Sequence, residues 1–412
     1  MKVILFSIGT RGDIEPFLAI AQLLKEQNCD IICVFPEQYR EIVERMGLSF
    51  KGFSKDILDL MNGKEMKMIF GNQGSILKRI RILIKMARVS LKLSKDSVAL
   101  QHRIQTEEKP DRILYHPKCN YSVVWGVGNS RKTILVNPTL DPLTDLRGNY
   151  GKFLNKITRW FVNTMKAVML KLVSKRFKKD FSGRKITVSS IKRAMLENEK
   201  TFYTISPSLF PKPANWPFNT SIVGYYERDT ATDWQPDEKL LLFIRKHEKI
   251  IFITFGSMTN PSPKEKTRSI VEVLKRNNIP AIINISWGGL EKIDEFHENI
   301  FFTEDLPYSW IFPKIYAVIH HGGSGTTHTA LKYACPSLII PHVLDQFFWD
   351  KTIAKLQLGP KGISIRKFNK KEFEIKLLDL YHNKNYKKNA DMISEKMQSE
   401  NNKNKFYEMI IN

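Results

Sequence analysis

The octet His320-His321-Gly322-Gly323-Ser324-Gly325-Thr326-Thr327 follows directly on the apolar run Ala317–Ile319. An apolar strand, a glycine-rich turn and then a helix bring backbone N–H groups, hydroxyls and an imidazole together at a helix N-terminus. Oriented donors and the helix dipole stabilise a phosphate there. The lysine that a GxxxxGK[ST] phosphate loop requires is missing, so this is not that motif. Asp345-Gln346 lies beyond a second apolar run, Ser337–Pro341, and pairs an acceptor with an amide suited to sugar hydroxyls. Diphosphate and sugar recognition side by side imply a nucleotide-sugar ligand. Phe255-Gly256-Ser257-Met258 repeats the strand-then-turn pattern, which makes Ser257 either a phosphate contact or a plain turn residue.

A second candidate for chemistry stands near the start of the chain, where SIGTRGDIEP (7–16) follows the apolar run Lys2–Phe6. Gly9 and Gly12 let the backbone turn sharply and approach a ligand closely. Asp13 falls at the start of a helix, at the C-terminal edge of a sheet, where a carboxylate can take a proton from an attacking hydroxyl. It can equally be the N-cap of that helix, with Pro16 in the first turn. The two roles conflict in part, because N–H groups bonded to a carboxylate favour the anion and lower its basicity. Asp13-Ile14-Glu15 is the nearest approach to Asp-x-Asp, and its register suits a cap better than a magnesium site. No metal is therefore expected, and a departing diphosphate would rely on protein donors. Gly126-Val127-Gly128 has Arg131 where a dinucleotide fingerprint needs its third glycine.

The elements that must position these residues alternate between strand and helix, the pattern of parallel sheets in an α/β fold. Strands are expected over 2–6, 30–35, 112–115 and 133–136, with a helix over 14–25 that lines up Ile14, Phe17, Leu18, Ala21 and Leu24 on one face. Residues 206–236 hold five prolines and little periodicity. Beyond them a second series begins, with strands over 250–255, 281–286, 300–303, 317–320 and 337–341 and a helix over 263–277. The chain of 412 residues is accordingly expected to form a domain over 1–205, a connector over 206–240 and a second domain over 241–412. Its last helix should return to the first domain.

The four cysteines show no metal spacing, the N-terminus carries no secretory pattern, and no run of eighteen apolar residues occurs. These features lead us to expect a cytoplasmic protein. The net charge of +23 is concentrated in residues 78–95, with seven cations and no acid, and 152–179, with nine cations and no acid. Both stretches interleave cations with apolar residues at helical spacing. They are either domain helices with solvated lysines or a surface for anionic membrane, at about 1 kcal/mol per nearby cation. Nucleic acid is not expected, because no RNP, zinc-finger or helix-turn-helix pattern accompanies the charge.

Taken together, the segments resemble family 1 glycosyltransferases of the GT-B fold, in the branch of sterol 3-beta-glucosyltransferase-like and antibiotic glycosyltransferases. The pieces that carry the resemblance are GTRGDIEPF (9–17), YHPK (115–118), SPSLFPKPANWP (206–217), WQP (234–236), FGSM (255–258), SWGGL (286–290), LPYSWIFP (306–313), HHGGSGTT (320–327) and DQFFW (345–349). The resemblance implies two Rossmann-like parallel-sheet domains facing across a cleft, the N-terminal one binding the acceptor and the C-terminal one the nucleotide sugar. It also implies an inverting, metal-independent transfer with no cofactor.

Residue by residue, the resemblance makes Asp13 the general base, where plant-type relatives carry histidine, and puts Thr10, Arg11 and Gly12 beside the donor. His321 and Thr326, with Gly323, Ser324 and Gly325, match the diphosphate contacts, and Ser257 matches a phosphate contact. Leu306 and Pro307 match the base-binding loop, with Trp287 near it. Asp345 and Gln346 match the contacts to donor-sugar hydroxyls, and His116 faces the acceptor cleft. Ser324 departs from a common alanine, and His328 stands where small residues are usual. The expected activity is transfer of a hexose, glucose from UDP-glucose, to a hydroxyl of a sterol, lipid, carotenoid or polyketide. A nucleotide-sugar epimerase of the same fold and a non-catalytic sugar-nucleotide or lipid-binding protein are the alternatives.

Overall fold

The apolar runs become strands in the structure, a computed structural model. It describes residues 1–54, 94–129, 131–140, 167–168, 170–177, 186–197, 199–228, 234–258, 260, 262–285, 289–293, 297–304, 306–343, 345–400 and 402–412. By residue contacts the chain divides into two units, Met1–Arg228 with Asn401–Asn412, and Asp229–Glu400. The first contains β1 (Lys2–Phe6), β2 (Asp30–Pro36), β3 (Ser49–Phe53), β4 (Arg112–Tyr115), β5 (Thr133–Asn137), β6 (Lys200–Tyr203) and β7 (Thr220–Ile222), in the order β3-β2-β1-β4-β5-β6-β7. The second contains β8 (Ile251–Thr254), β9 (Ala281–Asn284), β10 (Ile300–Thr303), β11 (Ala317–His320) and β12 (Ser337–Ile339), in the order β10-β9-β8-β11-β12.

Every pairing is parallel. The expected pair of parallel-sheet α/β folds is therefore present. Parallel strands covered on both faces read as continuous apolar runs, and β1, β8 and β11 are buried almost end to end. In each sheet the winding reverses beside the first strand, between β1 and β4 and between β8 and β11. The loops at such a reversal diverge to opposite faces and open a crevice at the C-terminal strand ends. The register sets Phe6 beside Tyr115 and Thr254 beside His320, so the loops that follow each pair begin side by side.

Helix α1 spans Arg11–Glu26, three residues earlier than the apolar periodicity suggests, because Thr10 takes the N-cap position. Its face of Ile14, Phe17, Leu18, Ala21 and Leu24 is buried against the first sheet. The strands at β3, β6 and β7 escape the periodicity reading: they are short, and β7 lies within the proline-rich stretch. That stretch also packs Trp216 against Tyr203, with ring centroids 4.5 Å apart. In the second unit, α2 (Pro263–Arg276) buries Ile270, Val271, Val273 and Leu274. The glycine turn leads into α3 (Ser324–Lys332), and Asp345 precedes α4 (Gln346–Lys355). The last helix, α5 (Lys403–Ile411), inserts Phe406 and Ile410 into the core of the first unit. Arg112 and Lys200 donate to its terminal carbonyls at Ile410 and Met409, at 3.1 and 3.2 Å, satisfying groups that a helix end leaves open. Most of the two basic stretches, 78–93 and 152–166, lies outside the described residues; residues 170–176 are helical.

Candidate active site

Asp13 is the third residue of α1, not its N-cap. Its Oδ2 accepts the N–H of the capping residue Thr10 at 2.9 Å, the backward-reaching half of a capping box. Oδ1 turns towards the loop after β4, where Lys118 Nζ lies at 3.0 Å and His116 Nε2 at 3.2 Å. The loop is held there because the His116 N–H donates to the Phe6 carbonyl at the end of β1, at 2.8 Å. Ser7, fully buried, donates its hydroxyl to the Asp13 carbonyl at 2.7 Å and pins the first turn of the helix. Gly9 lies beside the carboxylate with φ +147, and a Cβ there would collide with Oδ2. Burial alone would raise the Asp13 carboxyl, but the Lys118 ammonium and then His116 hold it well below the usual carboxylate range. The group is an anion at any pH at which the protein is handled.

In the second unit, three motifs far apart in sequence converge at the ends of β8 and β11. The His321 ring lies between two glycines: a Cβ at Gly256 would come within 2.9 Å of its Cε1, and one at Gly323 would strike Nε2. Gly322 approaches the start of α4, where an added Cβ would meet the Gln346 carbonyl at 3.2 Å. Gln346 Nε2 reaches Met258 Sδ at 3.4 Å. The first turn of α3 holds Ser324, Gly325 and Thr326, with Gly323 as the N-cap residue. Thr326 is half-buried, whereas Thr327 turns inward and donates its hydroxyl to the Gly323 carbonyl at 2.9 Å. Ser257 is half-buried in the turn after β8. That turn is tied by the Gly256 N–H to Thr254 Oγ1 at 3.2 Å, and Thr254 Oγ1 meets the Tyr308 hydroxyl at 2.9 Å.

Four histidines of this unit, His320, His321, His328 and His342, are neutral because they are buried. Burial lowers His320 to about 3, and its Nδ1 accepts the Gly322 N–H at 3.1 Å. His321 is held well below the usual imidazole range by burial and by its neighbours His320 and His342, and its buried Nδ1 has no protein partner. His342 is lowered to about 4 by burial, and its Nδ1 meets the Ile340 carbonyl at 2.8 Å. His328, which the sequence leaves without a role, is a core residue. It stands edge-on to Trp349 at 4.9 Å, meets the Ser324 carbonyl through Nδ1 at 2.7 Å and is lowered by burial to about 4.

The other residues singled out in the sequence are distributed as follows. Arg11 pairs with Glu15 at 3.1 Å, and Gly12 is exposed with open space around it. Leu306 is buried with Ile311 and Phe312, and Pro307 precedes the short helix Tyr308–Ile311. Trp287 lies outside the described residues. Asp345 sits partly exposed at the N-terminus of α4. The Gln346 amide is occupied: its Oε1 accepts the N–H groups of His342 and Val343 at 2.7 and 3.0 Å. His116 is 3% exposed and turned onto Asp13. Lys118, brought onto Asp13 by the fold, was not singled out in the sequence. Its only signal was a cation two residues after His116, within YHPK.

Residues 3–102 match the family model of the glycosyltransferase family 28 N-terminal domain, and residues 268–410 match that of the erythromycin biosynthesis protein CIII-like C-terminal domain. The chain is 28% identical over 378 residues to a sterol 3-beta-glucosyltransferase of Arabidopsis thaliana, an alignment covering 89% of this chain and 60% of the relative. It is 27% identical over 428 residues to a sterol 3-beta-glucosyltransferase of Komagataella phaffii, covering 97% of this chain and 33% of the relative. The chain thus spans less than two thirds of the length of these curated relatives. Among solved structures, the glycotransferase of kitacinnamycin aligns with a TM-score of 0.74 at 12% identity over 99% of each chain. The spinosyn rhamnosyltransferase complexed with thymidine diphosphate aligns with a TM-score of 0.68 at 14% identity over the whole of both chains. At these identities the likeness is one of fold.

The buried neutral histidines make a prediction about stability. Unfolded histidine titrates near 6.5, whereas His320, His328 and His342 bind protons in the folded state only near 3 to 4. Their contribution is complete above about pH 6.5 and is lost as the pH falls, because only the unfolded chain then takes up protons. At pH 5 each should cost about 2 kcal/mol, so the unit should lose roughly 4–6 kcal/mol relative to pH 7.5. Hydrogen exchange of β8 and β11 amides at the two values, read as opening free energies, checks this. Equal free energies would mean that these rings are not held neutral.

Proposed function

We propose that the chain is a glycosyltransferase of GT-B fold that transfers glucose from UDP-glucose to a hydroxyl of a hydrophobic acceptor, inverting the anomeric carbon. The observation that carries this reading is Asp13, an ionised carboxylate kept at the β1/β4 strand ends by Lys118 and His116. The sterol glucosyltransferases among the relatives support glucose and an apolar alcohol. In this mechanism Asp13 takes the proton of the acceptor hydroxyl as its oxygen bonds to the anomeric carbon. The bond from that carbon to the diphosphate oxygen breaks, and its electron pair leaves with the nucleoside diphosphate. Attack opposite the leaving group inverts the configuration.

The growing negative charge on the diphosphate is met by the first-turn N–H groups of α3, the hydroxyls of Thr326 and Ser257 and the ring N–H of neutral His321. These donors serve in place of a metal ion, so transfer should proceed in the presence of EDTA. In this reading Asp345 takes the sugar hydroxyls. Gln346 shapes the turn that presents Asp345, since its amide is already bonded to His342 and Val343. Leu306 and Pro307 belong to the loop for the base. His116 acts through Asp13, not by holding the acceptor.

Asp13→Asn should lower kcat by about 10²–10⁴-fold and leave nucleoside diphosphate affinity unchanged by calorimetry. Turnover within a few fold of normal would remove Asp13 from the mechanism. His321→Ala should weaken nucleoside diphosphate binding by about 10-fold or more, the worth of one hydrogen bond to a charged group. Unaltered affinity would count against the diphosphate role.

A contact with anionic lipid is part of the same reading. Val168 and Leu172, 44% and 49% exposed, share the surface of residues 167–177 with exposed Lys171, Lys175 and Arg176. Apolar side chains flanked by cations suit an anionic bilayer. Flotation with phosphatidylserine vesicles should show binding that weakens as salt rises, with none on phosphatidylcholine. Absence of salt-sensitive flotation would sink the idea.

A further inference from the structure

The base itself is held by a residue that no motif assigns. We propose that Lys118 is the positioning residue of the Asp13 carboxylate, gripping one oxygen and leaving Oδ2 as the one that meets the acceptor hydroxyl. The proposal rests on the reading of Asp13 as general base, and it is argued from the way Lys118 uses two of its groups. Its ammonium donates to Asp13 Oδ1 at 3.0 Å. Its backbone N–H donates to His116 Nδ1 at 3.2 Å. That second bond commits the Nδ1 lone pair, so the ring proton sits on Nε2, which faces Oδ1 at 3.2 Å. His116 is thereby fixed as a donor to the carboxylate and is unable to serve as the base in its place.

A carboxylate oxygen offers about two lone-pair positions. Oδ1 has both filled, by Lys118 and His116. Oδ2 receives the Thr10 N–H and keeps one position open. Gly9 clears the space beside that oxygen, because any side chain there would overlap it. The carboxylate is still 15% exposed, so a hydroxyl has a route to it. The reaction then has a defined proton acceptor: the alcohol O–H bond breaks, and the new O–H bond forms at Oδ2.

The cation is needed because burial opposes the charge. Burial raises the Asp13 carboxyl, and the charge of Lys118 and the hydrogen bond and charge of His116 lower it. Tyr39 and Cys119 also feel the carboxylate, but burial keeps both neutral. On its own helix Arg11 is paired with Glu15, and Glu15 is held in turn by Arg228 at 3.2 Å. Without Lys118 a desolvated carboxyl would bind a proton at higher pH, and a protonated carboxyl accepts no proton from an alcohol.

The test uses Lys118→Met, with Lys118→Arg as the conservative partner; the side chain is 35% exposed, so neither variant disturbs a core. Carboxyl ¹³C NMR on aspartate-labelled protein, with the Asp13 resonance identified by its loss in Asp13→Asn, reads the ionisation directly. Between pH 4 and pH 8 the wild-type resonance should not move. In Lys118→Met its midpoint should rise into that window, so that the resonance titrates, and Lys118→Arg should restore the flat response. In the transfer assay, the acid limb of kcat/KM should move to higher pH in Lys118→Met by the same amount. A flat resonance and an unshifted acid limb in Lys118→Met would overturn the proposal. If wild type transfers no sugar, the general reading of function fails, yet the NMR titration still decides whether Lys118 governs the carboxylate.

Discussion

Because every strand pairing in both sheets is parallel, each connection must cross back over a sheet face, and those faces are sealed by apolar packing. Backbone and side-chain polar groups have little place there, since an unpaired polar group buried in such a layer costs about 1–3 kcal/mol. What remains for chemistry is the C-terminal end of each strand, where the chain leaves the sheet and a helix begins with unbonded N–H groups. Asp13, His116 and Lys118 follow β1 and β4, while Ser257 and His321 follow β8 and β11. Each set stands at the reversal of strand order, the one position where neighbouring loops diverge to opposite faces.

The two units use this edge with opposite electrostatics. In the first, a carboxylate is kept ionised against burial by an ammonium and an imidazole N–H, which demands partners at close range. In the second, four imidazoles are kept neutral by burial. A neutral ring offers one N–H and one lone pair. The glycines on either side of His321 allow the chain to close around the ring.

Much of this was legible before any coordinates. β1, β4, β8, β9 and β11 announce themselves as apolar runs because parallel strands bury both faces, and α1 and α2 show their buried stripe at helical spacing. Elements lacking that signature were missed: β3 is a half-buried edge strand, and β7 is only three residues long inside a proline-rich stretch. Helix α1 starts ahead of its apolar stripe because its start is set by Thr10, a cap, and a cap is a local polar event to which periodicity is blind. His328, to which the sequence assigned no role, is packed on Trp349, a contact made by residues twenty-one apart on different helices.

The sequence by itself determined the kinds of groups present and the elements that carry them: a carboxylate opening one helix, a glycine-hydroxyl-histidine turn opening another, and two series of parallel strands. Those follow from short-range rules, in which period, caps and glycine act within a few residues. Tertiary structure alone decided which groups meet. Lys118 reaches Asp13 across 105 residues of chain because β4 pairs with β1 in a register that sets Tyr115 beside Phe6. Gln346 Oε1 meets the N–H groups of His342 and Val343 because the turn before α4 folds back on that helix. Charge and hydrogen bonding act over a few ångströms in space, and distance in space is set by strand order and register, which no local pattern encodes.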